Sequence, residues 1–265
     1  MSRRQVNVVY SERMGEPCHI LITGASGGLG AALALVYAAP GTRLSLHGRN
    51  AERLARVAAQ ARQRGAEVST HLGDVTDAQC MAAWIEASDR MAAIDLIIAN
   101  AGISGGTSQR QESADQVNAI FAVNVTGVFN TIHPALPLMT RRRRGQIAII
   151  SSLASFCGFA GAPAYCASKA AVRVYGEGLR AEVARQGIAI NVVCPGFIKT
   201  PMTDVNPFPM PFLMSAEHAA QVIRLGLISN RARIAFPWPL YAAIRFLTAL
   251  PQLIMEWIVV WLPKK

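Results

Sequence analysis

Apolar and polar positions along this chain recur in a fixed order: a short apolar run, a glycine or polar turn, then a longer stretch with apolar residues every three or four positions. Cys18 to Thr23 reads as a first strand and Gly28 to Ala39 as the helix after its turn. A second strand is predicted over Arg43 to His47, followed by a helix from Ala51 to about Arg64. Val68 to His71 forms a short third strand, a helix covers about Ala78 to Ser88, and Ile94 to Ala99 gives the fourth strand. Helices then occupy much of Gln111 to Met139. A fifth strand over Gln146 to Ser151, a helix over Tyr165 to Gln186 and a sixth strand over Ala189 to Val193 follow, with Arg233 to Phe236 as a candidate seventh. This alternation predicts an α/β fold: a doubly wound, Rossmann-type parallel sheet with helices on both faces. No repeat or linker divides the chain, so it reads as one domain, with a core over residues 17–236 and an apolar helical extension over 237–265.

Composition narrows the class without changing that picture. A hydrophobic content of 52% against 16% charged residues supports a large core and excludes a disordered chain. The five cysteines show no metal-like spacing, so no metal is expected. Met1 to Glu16 is polar and charged, without the apolar stretch of a secretory leader, which points to a reducing cytoplasm. The net charge of +10 suits nucleic acid, anionic lipid or an anionic cofactor. Its one dense run, Arg141 to Arg144, reads as a solvated helix end facing the helix dipole; no aromatic residues interleave with it, which argues against nucleic acid.

The candidate chemistry lies in Tyr-Cys-Ala-Ser-Lys, where Tyr165 and Lys169 share one helix face about a turn apart. A phenol ordinarily has a pKa of about 10, and an ammonium one turn away is expected to pull it toward neutrality. Ser152 stands thirteen residues earlier at a strand end, and Asn124 lies in Val-Asn-Val-Thr-Gly. Near the front, Ile20 to Gly30 is an apolar strand running into a turn that carries Gly24, Ser26, Gly28, Leu29 and Gly30. Glycines there let a backbone approach a pyrophosphate seated at the helix N-terminus.

Taken in order, these motifs resemble the short-chain dehydrogenase/reductase family over roughly residues 18–236. The resemblance implies Tyr165 as general acid/base and Ser152 as the hydrogen-bonding partner of the substrate oxygen. It implies Lys169 on the nicotinamide ribose, lowering the phenol's pKa, and Asn124 anchoring a water that relays protons. Asp74 and Val75 would contact the adenine, Asn100-Ala101-Gly102 would line the cofactor, and Pro195, Gly196, Ile198 and Thr200 would hold the carboxamide. Ala99 departs from the asparagine usual before that Asn-Ala-Gly. At the end of the second strand, Leu46-His47-Gly48-Arg49-Asn50 carries no carboxylate, and Arg49 suits a 2′-phosphate, with Ser26 adding a hydroxyl. NADP(H) is therefore expected, with NAD(H) the less favoured alternative; the other reading of Arg49 is an exposed helix start.

The expected activity is interconversion of a carbonyl and an alcohol, as NADPH-dependent reduction of an apolar ketone or aldehyde, by a homo-oligomer. A 3-oxoacyl-carrier-protein-type reductase and a non-catalytic NADP-sensing regulator are the alternatives. Pro201 to Met214, rich in Met, Phe and Pro, occupies the family's substrate lid, either binding an apolar substrate or packing on its own protein. The extension carries Trp238, Trp257 and Trp261 and ends in Lys264-Lys265, which fits protein packing or peripheral contact with a membrane surface.

Overall fold

The computed structural model describes residues 15–105, 112–204 and 208–261. Seven parallel strands form one sheet in the order β3-β2-β1-β4-β5-β6-β7. They are β1 His19–Ile22, β2 Arg43–Gly48, β3 Glu67–Leu72, β4 Leu96–Ala99, β5 Gly145–Ile150, β6 Ile188–Pro195 and β7 Arg233–Phe236. The central strands are buried on both faces, which is why β1, β4, β5 and β6 read as continuous apolar runs rather than alternating ones. Chain order reverses between β1 and β4, so the loops after these two strands part at the sheet's C-terminal edge.

Helices α1 Gly28–Tyr37, α2 Ala51–Gln63, α3 Ala78–Met91, α4 Ala114–Phe121, α5 Gly127–Ile132, α6 Ala135–Arg142, α7 Pro163–Val183, α8 Ala216–Ile228, α9 Trp238–Leu247 and α10 Gln252–Trp261 complete the described fold. One face of the sheet packs Leu33 and Ala34 of α1 with Ile223 and Leu227 of α8. The other packs Ile85 of α3, Ile132 of α5 and Val172 and Leu179 of α7. The side chains of Asn50, Asp77 and Ser215 cap α2, α3 and α8, accepting from the Arg53, Cys80 and His218 N–H groups. Pro163 opens α7 at a position whose N–H has no helical partner, so this helix starts two residues before the expected Tyr165.

Three features depart from the sequence expectations, and the extension packs on the protein as one of its two readings holds. Helix α8 falls where no element was expected. The helical stretch expected from Gln111 starts at Ala114 and passes through a π-helical turn over Ala122–Thr126; Gln111 itself lies outside the described residues. The arginine run is pinned as well as solvated: Arg142 Nη1 donates to both carboxylate oxygens of Asp89 at 2.8 and 2.9 Å, and Arg144 sits 3.1 Å from Asp95. In the extension, Leu240, Tyr241 and Ile244 of α9 pack over Leu153, Phe156 and Cys194. Its outer side leaves Trp238, Phe246, Leu253 and Trp257 exposed, and Lys264-Lys265 lie outside the described residues.

Candidate active site

The glycine turn sits in a cleft of about 410 Å³ at the switch point between β1 and β4. Gly24 and Gly28 adopt φ of 68° and 53°, the left-handed region that glycine reaches without strain. A Cβ on Gly30 would overlap the Gly24 carbonyl and stand 2.6 Å from Asn100 Nδ2, so α1 starts hard against the turn. Gly27, by contrast, has open space where a side chain would stand, and no acid occupies the first turn of α1. A groove of that shape at a helix N-terminus fits a pyrophosphate. Asn100 locks the turn to β4, donating through Nδ2 to the Thr23 and Gly24 carbonyls at 2.9 and 3.3 Å. The Thr23 hydroxyl accepts the Asn100 and Ala101 N–H groups at 3.1 Å each.

The same cleft is lined by Ser26, Leu29, Arg49, Asp74, Val75, Ala101, Gly102, Pro195, Gly196, Ile198 and Thr200, so the structure brings the expected cofactor residues together. It adds Arg53, which the sequence reading missed although it stands only four positions after Arg49, in the first turn of α2. One expectation needs correction. The end of β2 carries no carboxylate of its own, but the neighbouring strand brings one into reach: Asp74 Oδ2 lies 3.5 Å from Arg49 Nη1. The cause is register: β2 and β3 pair in parallel with Gly48 opposite Leu72, so the loops after both strands emerge side by side. Burial raises the pKa of Asp74, but hydrogen bonds from Thr76 and the Arg49 cation together hold it below its ordinary value.

Tyr165 and Lys169 lie on α7 with the ammonium 5.9 Å from the phenol ring centroid. The Ser152 hydroxyl hydrogen-bonds the phenol, accepts the Ala154 N–H at 3.1 Å and donates weakly to the Pro195 carbonyl at 3.5 Å. Lys169 is buried and donates to the Ile150 carbonyl at 2.9 Å. Burial lowers its pKa to about 8. The expectation for Tyr165 is reversed: burial pushes the phenol up to about 12, and the Ser152 hydrogen bond offsets this only in part. A buried phenolate loses its hydration, and that loss sets the direction of the shift. The hydroxyl is therefore protonated at neutral pH.

Asn124 sits in the π-helical turn and is fully buried. Its amide clamps Ile103 from both sides, accepting that residue's N–H at 2.8 Å and donating to its carbonyl at 2.9 Å. It also donates to Ser168 Oγ at 3.0 Å, tying the loop after β4 to α7. Asn124 Oδ1 and Lys169 Nζ each lie 3.2 Å from the point where a Gly102 Cβ would stand, so the two polar groups flank one glycine. The extra residue of a π turn commonly marks such functional positions.

Beyond Ser152 and Tyr165 lies a second cavity of about 590 Å³. Ser152, Tyr165, Gly196, Met202 and Thr203 line both spaces. The lid contributes Met202, Phe208, Pro209 and Pro211 to the second cavity, whereas Val205 to Pro207 lie outside the described residues. Lys199 N–H to Met214 O and Met214 N–H to Phe197 O, at 2.8 and 3.0 Å, tie the lid's two ends together.

Comparison with known proteins agrees with this geometry. Residues 18–207 match the family model described as short chain dehydrogenase. An uncharacterized oxidoreductase of Myxococcus xanthus is 39% identical over 233 residues, covering 88% of this chain and 92% of its own. Among solved structures, a short-chain dehydrogenase from Sphingobium yanoikuyae in complex with NADPH is 28% identical with a TM-score of 0.76, covering 90% of this chain and 95% of that one. One from Mycobacterium paratuberculosis bound to NAD shares the fold, at 23% identity and a TM-score of 0.73 over 82% of this chain and 94% of that one.

Proposed function

The chain belongs to the short-chain dehydrogenase/reductase family of oxidoreductases, and from that premise we propose that it is an NADP(H)-dependent enzyme reducing an apolar ketone or aldehyde to an alcohol. The observation that carries the reading is the shared wall, where Ser152 and Tyr165 face both the polar cleft and the second cavity. A carbonyl in that cavity meets its proton donor at the edge of the nucleotide cleft.

A bound nicotinamide nucleotide would supply the hydride. The Gly24–Gly30 turn would hold its pyrophosphate, Lys169 its ribose hydroxyls, and the Ile198 backbone with Thr200 its carboxamide. Asp74 and Val75 would face the adenine, and Arg49, aided by Ser26 and Arg53, a 2′-phosphate. Support for the phosphate comes from the loose hold on Arg49: its side chain and that of Asp74 are 62% and 41% exposed, so the pair yields readily to a better anion.

Tyr165 gives its proton to the carbonyl oxygen as the carbon accepts the hydride, converting C=O to CH–OH. Ser152 hydrogen-bonds that oxygen and stabilises its developing charge. Burial keeps Tyr165 in the protonated form that reduction consumes. The phenolate left behind recovers a proton from Lys169, whose lowered pKa eases release, with Asn124 holding the water that resupplies it. The reading carries with it a homo-oligomer, as the family resemblance implies, in a reducing cytoplasm, in keeping with the free cysteines.

The test is a panel of ketones, aldehydes and alcohols followed by nicotinamide absorbance with NADPH and with NADH. Turnover with NADPH should fall about 10²- to 10⁴-fold in Tyr165→Phe, while nucleotide titration shows binding retained. Unchanged turnover in that variant refutes the mechanism.

A further inference from the structure

The second cavity draws a large part of its wall from the C-terminal extension. Leu240, Ala243, Ile244 and Leu247 of α9, with Leu250 just beyond it, face Phe159 and the lid across about 590 Å³. That volume lies within the ~300–1,000 Å³ typical of small-molecule pockets. The extension is held in place rather than merely near. Gly196 donates its N–H to the Phe236 carbonyl at 2.7 Å, and a Cβ on Gly196 would stand 3.0 Å from Pro237 and 3.1 Å from Leu240. The strand end beside Ser152 and the start of the extension are thus one packed unit.

The chemistry of the lining is one-sided. Ser104, Ser152, Tyr165 and Thr203 are its polar side chains; none of its described lining residues carries a charge. Ser152 and Tyr165 stand at one end, 9% exposed and half-buried, while Phe246 is 70% exposed. The cavity therefore runs from the proton donor to the surface along α9. An ionised head, or an arm rich in amides and phosphate, would lose its hydration here without ion-pair partners.

Building on the reductase reading, we propose that the extension is the substrate-selecting wall of the enzyme, and that the substrate is an uncharged lipid carbonyl whose hydrocarbon chain lies along α9. Each methylene moved from water into the cavity favours binding about fourfold. Selectivity should thus appear as a dependence on chain length that α9 sets.

The experiment measures kcat/KM for a graded series of unbranched methyl ketones with NADPH, in the full chain and in Ala243→Trp and Leu247→Ala. Ala243 is exposed on α9, so a larger side chain there narrows the cavity without entering the core. The full chain should gain about fourfold in kcat/KM per added methylene until the cavity is filled. Ala243→Trp should lower the ratio of longest to shortest ketone at least tenfold, and Leu247→Ala should move the optimum to longer chains. An unchanged ratio in both variants overturns the proposal.

Binding of a fluorescent long-chain primary alcohol to nucleotide-loaded Tyr165→Phe separates this inference from the catalytic one. Saturable binding weakened by Ala243→Trp supports the wall even where the series shows no turnover, a result that would sink only the reductase reading. Failure to bind the alcohol, or equal affinity for the fatty acid carboxylate of the same length, refutes the neutral lipid cavity.

Discussion

Replacing Arg49 by alanine separates two roles that the structure gives this side chain. Its pair with Asp74 spans 3.5 Å between groups 62% and 41% exposed. A pair so open to water contributes about 0–1 kcal/mol, so the melting temperature should move by no more than a few degrees. A charge-assisted hydrogen bond to a 2′-phosphate contributes about 1.5–3 kcal/mol, equivalent to about ten- to hundredfold in affinity. Arg49→Ala should therefore weaken NADPH by that factor while NADH changes little, because NADH carries no phosphate at that end. Arg53 stays in the cleft and keeps the loss from being total. The assay is titration of both nucleotides followed by kcat/KM with one ketone, with thermal unfolding as the control. Equal losses for the two nucleotides, or none for NADPH, would show that Arg49 is an ordinary surface cation and the preference for NADP unfounded.

Three further outcomes follow from the buried groups. Lys169→Met should abolish turnover yet stabilise the fold below pH 8. The native ammonium, held near pKa 8 instead of about 10.4, costs roughly 3 kcal/mol there. The variant's advantage should fade as pH rises from 8 toward 10.4, where the native side chain is already neutral but the unfolded one is not; a pH-independent difference in unfolding free energy contradicts this. His47 is 1% exposed, with no hydrogen-bond partner on either ring nitrogen, and burial with its neighbour His71 lowers its pKa to about 4. The stability this gives is complete above pH 6.5 and is lost as pH falls toward 4, by about 3 kcal/mol. His47→Leu should flatten that acid slope in denaturant titrations, and an undiminished slope would place the titrating group elsewhere. Gly30→Ala drives a methyl into the Gly24 carbonyl and the Asn100 amide, so calorimetry should show a destabilisation of about 1–3 kcal/mol and nucleotide titration a marked loss; native-like binding would mean that the turn tolerates opening.

Most of the sheet was legible because parallel strands buried on both faces leave unbroken Ile, Leu and Val runs. Helix α8 carried a signal of its own, Ser215 as cap with Ala219, Ala220, Ile223 and Leu227 at helical spacing, but the proline-rich stretch before it drew the reading into an irregular lid. The site residues were readable as ordered motifs; their electrostatics were not. Spacing placed a cation beside Tyr165 but carried no sign of the burial that decides the direction of the shift. Pairing of Asp74 with Arg49 depends on β2–β3 register, and the π-helical turn around Asn124 is a property of the backbone, so neither leaves a mark in residue order. The packing of α9 on Gly196 joins residues more than forty positions apart, beyond the reach of any local pattern.

Helix α9 follows the sheet's last strand and packs over Leu153, Phe156 and Cys194, so a change on its inner side is felt at the strand end beside Ser152. During folding, the hollow next to Tyr165 lacks a side until Leu240 to Leu250 have docked against it.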